Sequence, residues 1–270
     1  MDIKNRSVFI TGASMGIGLA IAREMASRGA NVFLVALDGP ELPQAKESIA
    51  RDFPAVKVQA APCDVRDFAG LTQAAEQMHR EFGGIDGVVC NAGLDCPGYF
   101  ADKDPEEFRR LMEVNYLGTV FAAKAVLPYL KPGSFISFTS SMAGVMGIFG
   151  YSSYCPTKFA QIGLAECLRQ EMWPRGVQIS VLCPPDTDTP GLRDETKVLP
   201  RETQIITGAA KLMKAEDVAR GFVTQLLKGK FLIRVNFESH LIYRAKGIVP
   251  SLLLGYLRRA IGKAPAERTT

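Results

Sequence analysis

The chain has 270 residues, of which 47% are hydrophobic and 22% charged, and its formal net charge is +4. This composition excludes an intrinsically disordered tail protein, a collagen-like repeat and a charged coiled coil. The segment 240–263 has no acidic residue and holds five basic ones, which leaves a net charge of −1 on the rest; they are Arg244, Lys246, Arg258, Arg259 and Lys263.

The cysteine and histidine content also limits the possible functions. Six cysteines are scattered without a Cys-x-x-Cys pair and there are two histidines, so we predict no metal site. The N-terminus lacks an apolar run behind its charges, which indicates no signal peptide. Reduced thiols in the cytoplasm are the expected setting. Residues 132–157 are uncharged but polar, and residues 248–257 are too short, so neither predicts a membrane span.

Short apolar runs alternate with helical patterns along the chain. The predicted strands cover residues 7–10, 31–35, 56–60, 87–90, 134–138 and 178–182, and the helix at 19–26 is followed by Gly29 as its stop signal. Continuous apolar strands separated by helices predict an α/β fold with a doubly wound, Rossmann-type parallel sheet covered by helices on both faces. We expect one domain over residues 1–230 and a C-terminal extension over residues 231–270.

A glycine-rich turn joins the first predicted strand to its helix. It runs Thr11-Gly12-Ala13-Ser14-Met15-Gly16-Ile17-Gly18, and the spacing differs from the G-x-G-x-x-G fingerprint. Glycines there let the backbone approach a pyrophosphate, and a helix N-terminus offers free N–H donors. A plain tight turn is the alternative interpretation, but the position between strand and helix favours a dinucleotide.

The end of the second predicted strand carries Leu37 and Asp38. Asp38 lies 20 residues past Gly18, where an acid binds the ribose 2′-hydroxyl of NAD and repels the 2′-phosphate of NADP. Asp38 is equally compatible with a solvated turn beside Gly39-Pro40. The choice between the two cofactors stays open at this position.

Tyr154 and Lys158 are four residues apart and therefore share a helix face. A nearby ammonium should lower the tyrosine pKa from about 10 towards neutrality, which suits a proton donor for carbonyl reduction. An isolated Tyr-x-x-x-Lys pair arises by chance in many helices, so the other motifs decide its meaning.

Together these motifs resemble the short-chain dehydrogenase/reductase family. The matching elements are the glycine turn, Asp64-Val65, Asn91-Ala92-Gly93, Asn115, Ser141 and Tyr154-x-x-x-Lys158, in the family's order over roughly residues 3–230. The resemblance implies an NAD(P)(H)-dependent oxidoreductase that acts on a CH–OH or C=O group.

The resemblance also implies a role for each matching residue. Tyr154 would be the general acid, Lys158 would hold the nicotinamide ribose, Ser141 would polarise the substrate carbonyl, and Asn115 would position a water. Asp64 would contact adenine beside Val65, and Asn91, Ala92 and Gly93 would border the cofactor. The glycine-turn residues Gly12, Ser14, Met15, Gly16, Ile17 and Gly18 would bind it, with Leu37 and Asp38 near its 2′-position.

A narrower resemblance lies in Pro184-Pro185-Asp186-Thr187-Asp188-Thr189-Pro190-Gly191, which is similar to a stretch of the 3-ketodihydrosphingosine reductases. It implies NADPH-dependent reduction of the 3-keto group of a long-chain amino alcohol, in sphingolipid biosynthesis. In the family this loop lies over the nicotinamide, so Pro184, Thr187 and Thr189 would bind the cofactor. The alternative is a proline-fixed loop in which the two threonines cap the next helix.

Two departures from these reductases stand out. Leu37 replaces a usual arginine, which weakens the implication of NADPH and leaves NADH possible. Eukaryotic members also carry longer membrane segments than this sequence has.

The C-terminal segment reads as a short helix from Pro250 to Ile261. Leu253, Tyr256, Leu257, Ala260 and Ile261 lie near one face, and cations flank them. This pattern fits either peripheral contact of residues 240–263 with an anionic membrane or docking on the substrate cleft or a subunit interface.

The leading hypothesis is thus a cytoplasmic reductase of a long-chain keto-lipid, peripheral on a membrane. The resemblance implies a homo-oligomer, and the near-neutral body predicts no nucleic-acid binding. Alternatives are a reductase of a steroid, retinoid or acyl-chain ketone, or a dinucleotide-binding scaffold with idle catalytic residues.

Overall fold

The structure, a computed structural model, describes residues 1–208 and 212–262; the predicted cation Lys263 lies outside the described residues. The strands are β1 (Ser7–Thr11), β2 (Asn31–Ala36), β3 (Val58–Pro62), β4 (Gly87–Cys90), β5 (Phe135–Thr139), β6 (Gln178–Leu182), β7 (Thr187–Asp188), β8 (Met213–Lys214) and β9 (Leu232–Ile233). The α-helices are α1 (Gly16–Ser27), α2 (Glu41–Asp52), α3 (Phe68–Phe82), α4 (Pro105–Leu111), α5 (Gly118–Val126), α6 (Tyr154–Met172), α7 (Pro190–Glu195), α8 (Arg201–Thr207), α9 (Ala215–Leu227), α10 (Phe237–Ile248) and α11 (Pro250–Ile261).

Seven strands form one parallel sheet in the order β3-β2-β1-β4-β5-β6-β9. The order reverses direction between β1 and β4, which is where such sheets open a crevice for ligands at the carboxyl ends of their strands. The short strands β7 and β8 pair separately, also in parallel. This arrangement places the glycine turn after β1 beside the Asn91–Gly93 segment after β4.

Both faces of the sheet are buried under helices. Alternate residues of β1 show this, because Val8 and Ile10 join one apolar cluster while Phe9 joins the other, all with no exposed surface. Helices α1, α2 and α9 pack on the first face, and α3, α5 and α6 pack on the second. The predicted doubly wound single domain is therefore confirmed.

The predicted strands agree with the sheet to within two residues. The largest displacement is at β3, which begins at Val58 rather than 56, because Val56 still closes a turn onto the carbonyl of Phe53 after α2. The seventh strand, β9, follows residue 230, so the sheet extends a few residues past the predicted limit of the main domain.

The last two helices, α10 and α11, follow β9 at the C-terminal end of the described residues. Helix α11 packs on α10 and on α8, with Leu253 and Leu257 partly covered and Leu252 and Tyr256 largely exposed. Of the five residues predicted to lie near one face, Tyr256 is 67% exposed, whereas the other four are partly covered. Among the described residues, no helix has both the length and the apolar character needed to cross a bilayer.

Candidate active site

One solvent-open cleft of about 820 Å³ runs along the carboxyl ends of the strands. Its volume lies within the range typical of small-molecule and cofactor sites. All of the predicted site residues line it except Gly18 and Asn115, which lie directly behind its wall. The fold thus brings together side chains that are up to 177 positions apart in the chain, from Gly12 to Thr189.

The glycine turn forms one end of the cleft. Gly12 and Gly16 have φ values of +64° and +57°, in the left-handed region that favours glycine. A Cβ at Gly12 would lie 2.8 Å from the Cα of Ala92, and one at Gly18 would lie 2.1 Å from the carbonyl oxygen of Gly12. Two loops consequently approach one another more closely than side chains would allow.

Helix α1 begins at this turn without a side-chain cap. Its N-cap residue, Met15, makes no capping hydrogen bond, so the N–H groups of the first turn and the positive end of the helix dipole face the cleft. Free N–H groups and a positive dipole end suit a negatively charged pyrophosphate. Because the glycines of the turn carry no Cβ, they leave room for the backbone of a dinucleotide.

The segment Asn91-Ala92-Gly93 is tied to β1 by hydrogen bonds. The Thr11 hydroxyl accepts from the backbone N–H groups of Asn91 (3.0 Å) and Ala92 (3.1 Å), and the Asn91 side chain donates to the carbonyl of Gly12 (3.2 Å). These bonds hold the wall of the cleft at a fixed distance from the glycine turn.

At the far end, Leu37 and Asp38 lie at the rim with Asp64 and Val65. Leu37 is 65% exposed, and Asp64 forms an ion pair with Arg66 at 2.6 Å. Hydrogen bonding from Arg66 holds the pKa of the Asp64 carboxyl below its usual range. Arg66, which belongs to none of the predicted motifs, brings a cation to this end of the cleft.

Asn115 sits in a π-helical turn, Met112–Leu117, between α4 and α5. Its side chain accepts from the N–H of Leu94 (2.8 Å) and donates to the carbonyl of Leu94 (2.8 Å) and to Thr157 (3.0 Å). Its backbone carbonyl accepts from Thr119 (2.7 Å) and Gln161 (2.7 Å). Asn115 therefore joins the loop after β4 to α6.

Ser141, Tyr154 and Lys158 meet at the middle of the cleft. Ser141 follows β5 and its hydroxyl shares a hydrogen bond with that of Tyr154, while the predicted spacing on α6 places Lys158 one turn below the tyrosine. The Lys158 Nζ atom donates to the carbonyl of Thr139 (3.0 Å) and lies 5.4 Å from the centre of the Tyr154 ring. Two hydroxyls thus face the cleft with a buried ammonium beneath them.

The expected lowering of the Tyr154 pKa is wrong for this structure. Burial and the negative charge of Asp95 raise the pKa of the tyrosine well above its ordinary value, and the hydrogen bond from Ser141 only partly opposes them. The ammonium of Lys158 lies over the ring rather than at the hydroxyl oxygen. Burial also lowers the pKa of Lys158 to about 8. The phenol is consequently a protonated donor at neutral pH.

The loop after β6 covers the same part of the cleft. Thr189 caps α7 by accepting from the N–H of Leu192 (3.2 Å), as one alternative predicted. Thr187 does not cap the helix, because its hydroxyl donates to the carbonyl of Pro185 (2.7 Å) and its backbone pairs with β8. Pro184, Thr187 and Thr189 all line the cleft.

Four titratable residues that line the cleft were not predicted as site residues: Asp95, Tyr151, Asp186 and Glu195. They come from three separate loops and the end of α7, so no local motif joins them. Asp95 is two residues past the Asn91-Ala92-Gly93 motif, and Asp186 is inside the proline-rich loop. Proximity to a predicted cofactor motif could therefore have indicated that Asp95 and Asp186 lie in the cleft.

Several known proteins are similar to this chain over most of its length. The short chain dehydrogenase family model matches residues 6–198. A 3-dehydrosphinganine reductase from Danio rerio is 38% identical over 237 residues, covering 86% of this chain and 71% of that protein. One from Arabidopsis thaliana is 39% identical over 248 residues, covering 90% and 73%.

A solved structure supports the fold. A short-chain dehydrogenase/reductase from Burkholderia phymatum, crystallised in complex with NAD, is 22% identical with a TM-score of 0.82, covering 94% of this chain and 96% of that one. The chain belongs to the short-chain dehydrogenase/reductase family of oxidoreductases, as the family match and the two relatives establish.

Proposed function

We propose that this protein reduces the 3-keto group of 3-ketodihydrosphingosine, also called 3-dehydrosphinganine, to the alcohol dihydrosphingosine. The observation that carries the proposal is the meeting of the Ser141 and Tyr154 hydroxyls and Lys158 in a cleft that begins at an uncapped, glycine-lined helix N-terminus. The identity of the substrate is inferred from the two relatives, which are named 3-dehydrosphinganine reductases and are similar to this chain over most of its length.

The two hydroxyls have complementary tasks in this reaction. Ser141 and Tyr154 donate hydrogen bonds to the substrate carbonyl oxygen, which polarises the carbon for attack. Tyr154 then transfers its proton to that oxygen, and its raised pKa keeps the proton on the phenol until charge develops there. Lys158 would hold the nicotinamide ribose, and Asn115, which joins the loop after β4 to α6, would position a water.

The cofactor, when bound, supplies a hydride from its nicotinamide ring. NADP(H) is the proposed cofactor, because the reductases that the chain resembles use it, and NAD(H) is the alternative that Asp38 favours. Gly12, Gly16 and the N–H groups of α1 would bind the pyrophosphate, Asp64 and Val65 would contact the adenine, and Pro184, Thr187 and Thr189 would contact the nicotinamide.

Helices α10 and α11 are proposed as an extension that meets the membrane in which a sphingoid lipid is dissolved. Helices α10 and α11 expose Phe237, Leu241, Ile248, Leu252 and Tyr256, and Arg244, Arg258 and Arg259 are exposed on the same helices. Lys246 donates to the carbonyl of Val145 (3.1 Å), which ties α10 to the loop that lines the cleft. Such a surface suits the cytoplasmic, anionic face of a bilayer. We propose a homo-oligomer as the working form.

The test is turnover of the purified full-length protein with 3-ketodihydrosphingosine and either NADPH or NADH, followed at the nicotinamide absorbance. We expect oxidation of the reduced cofactor, and a loss of about 10³-fold in the Tyr154→Phe variant with dinucleotide affinity nearly unchanged. Absence of oxidation with both cofactors would contradict the proposal, and full activity of Tyr154→Phe would contradict the assigned acid.

A further inference from the structure

Two carboxyl groups occupy the cleft next to Tyr154. Asp95 lies on the loop after β4, and Glu195 is the last residue of α7. Their side chains share a hydrogen bond, and the Tyr151 hydroxyl donates to Oε1 of Glu195. Asp95 also acts electrostatically on both Tyr154 and Lys158, so the pair lies beside the reacting hydroxyl.

The pair carries negative charge in poorly solvated surroundings. Glu195 is 9% exposed, and burial together with the charge of Asp95 raises the pKa of its carboxyl to about 9, while burial also raises the pKa of Asp95. Within residues 1–208 and 212–262, neither carboxyl forms a salt bridge with a lysine, arginine or histidine. The ammonium of Lys158 acts on Asp95 without forming an ion pair with it, so a further cation in the cleft would stabilise the two carboxyl groups.

The substrate of the proposed function supplies such a cation. In 3-ketodihydrosphingosine the carbon next to the keto carbon bears an amino group. With the carbonyl oxygen on Ser141 and Tyr154, that group lies two bonds from the reacting carbon and within the same part of the cleft as the carboxyl pair. A protonated amine offers three donors, which suits two adjacent carboxyl groups.

We propose that Asp95 and Glu195 bind the ammonium group of the substrate and thereby make this reductase selective for α-amino ketones. This inference rests on the proposed function. Tyr151 is the positioning residue, because its hydroxyl fixes the Glu195 side chain against the cleft wall. Asp186, which also lines the cleft, adds negative charge near Tyr154.

The experiment compares two ketones of equal chain length, 3-ketodihydrosphingosine and 1-hydroxyoctadecan-3-one, which lacks the amine. The ratio of their kcat/KM values is measured for the wild type, Asp95→Asn and Glu195→Gln. We expect the ratio of the amino ketone to the analogue to fall by about 100-fold in each variant. In Asp95→Asn a further change common to both ketones accompanies it, because the charge of Asp95 also acts on Tyr154 and Lys158, and this common change cancels in the ratio. Both substitutions conserve shape, and NADPH affinity and thermal unfolding report that the fold is intact.

The matched control is Asp194→Asn, the preceding residue of α7. Asp194 is exposed and pairs with Lys197 at 2.6 Å, so this variant should keep the wild-type ratio. A ratio that stays at the wild-type value in Asp95→Asn and Glu195→Gln, or an equal loss for both ketones, would overturn amine recognition while leaving the reductase function standing. Failure of the wild type to reduce 3-ketodihydrosphingosine would overturn both.

Discussion

Lys158 is buried at the bottom of the candidate active site, and we expect its charge to determine how the site responds to pH. Burial lowers its pKa to about 8, whereas burial raises the pKa of Tyr154 well above its ordinary value. As the pH rises through 8, Lys158 therefore loses its ammonium before Tyr154 loses its phenolic proton. The order is the reverse of a simple picture in which the lysine makes the tyrosine acidic.

This order of titration predicts the pH dependence of cofactor binding. We expect the dissociation constant of NADPH, measured by fluorescence titration, to be constant between about pH 7 and 7.5 and to rise above pH 8, because the neutral amine holds the ribose less well. In Lys158→Arg the side chain stays charged, so the rise should vanish. A wild-type constant that is flat up to pH 9.5 would contradict the role of Lys158.

At the scale of elements, the glycine turn between β1 and α1 is the most constrained part of the site. In Gly18→Ala the new Cβ would lie 2.1 Å from the carbonyl oxygen of Gly12, so the turn must open. We expect a loss of about 1–3 kcal/mol in unfolding free energy, with dinucleotide binding strongly weakened. Chemical denaturation and calorimetric titration measure the two effects.

The matched control for this variant is Gly163→Ala in α6, where a Cβ meets nothing within 4 Å. An exposed helical glycine costs backbone entropy, so this variant should be more stable by up to about 1 kcal/mol and should bind the cofactor normally. If the two variants have the same unfolding free energy and the same cofactor affinity, the close approach of Gly18 to Gly12 does not constrain the turn.

The strands of the sheet show why the fold could be predicted from the sequence. The strands β1, β2, β4, β5 and β6 are apolar runs bounded by turns, and the buried parallel sheet requires this pattern. Strand β9 has only two residues, and its pairing with β6 depends on tertiary contacts, so periodicity could not reveal it.

The candidate site could be predicted from the sequence only in part, because some of its residues meet only in the tertiary structure. The glycine turn and the Tyr154/Lys158 pair are local spacings on one element, so sequence alone places them. Asp95 and Glu195 are 100 positions apart and meet only because α7 folds back over the cleft. The direction of the Tyr154 pKa depends on burial, which no spacing encodes.

At the scale of the whole molecule, the surplus of positive charge lies beside an exposed apolar surface on α10 and α11. We predict that the protein co-sediments with vesicles containing anionic lipid and that binding weakens with added salt. The double variant Leu252→Glu/Tyr256→Glu should lose this binding, because both side chains are largely exposed.

The control for membrane binding is Trp173→Glu, which changes an exposed aromatic residue just after α6 rather than on the C-terminal helices. It should bind vesicles as the wild type does. Binding that is lost equally in both variants, or that is absent from the wild type, would contradict a specific role for α10 and α11.

The central claim is that hydride passes to the 3-keto carbon of a sphingoid base within this cleft. It is tested most directly by incubating the full-length protein with 3-ketodihydrosphingosine and NADPH that carries deuterium at both C4 positions of the nicotinamide, with labelled NADH in a parallel sample. Mass spectrometry should then find dihydrosphingosine with a single deuterium at C3. Unlabelled product, label at another carbon, or no product with either cofactor would contradict the claim.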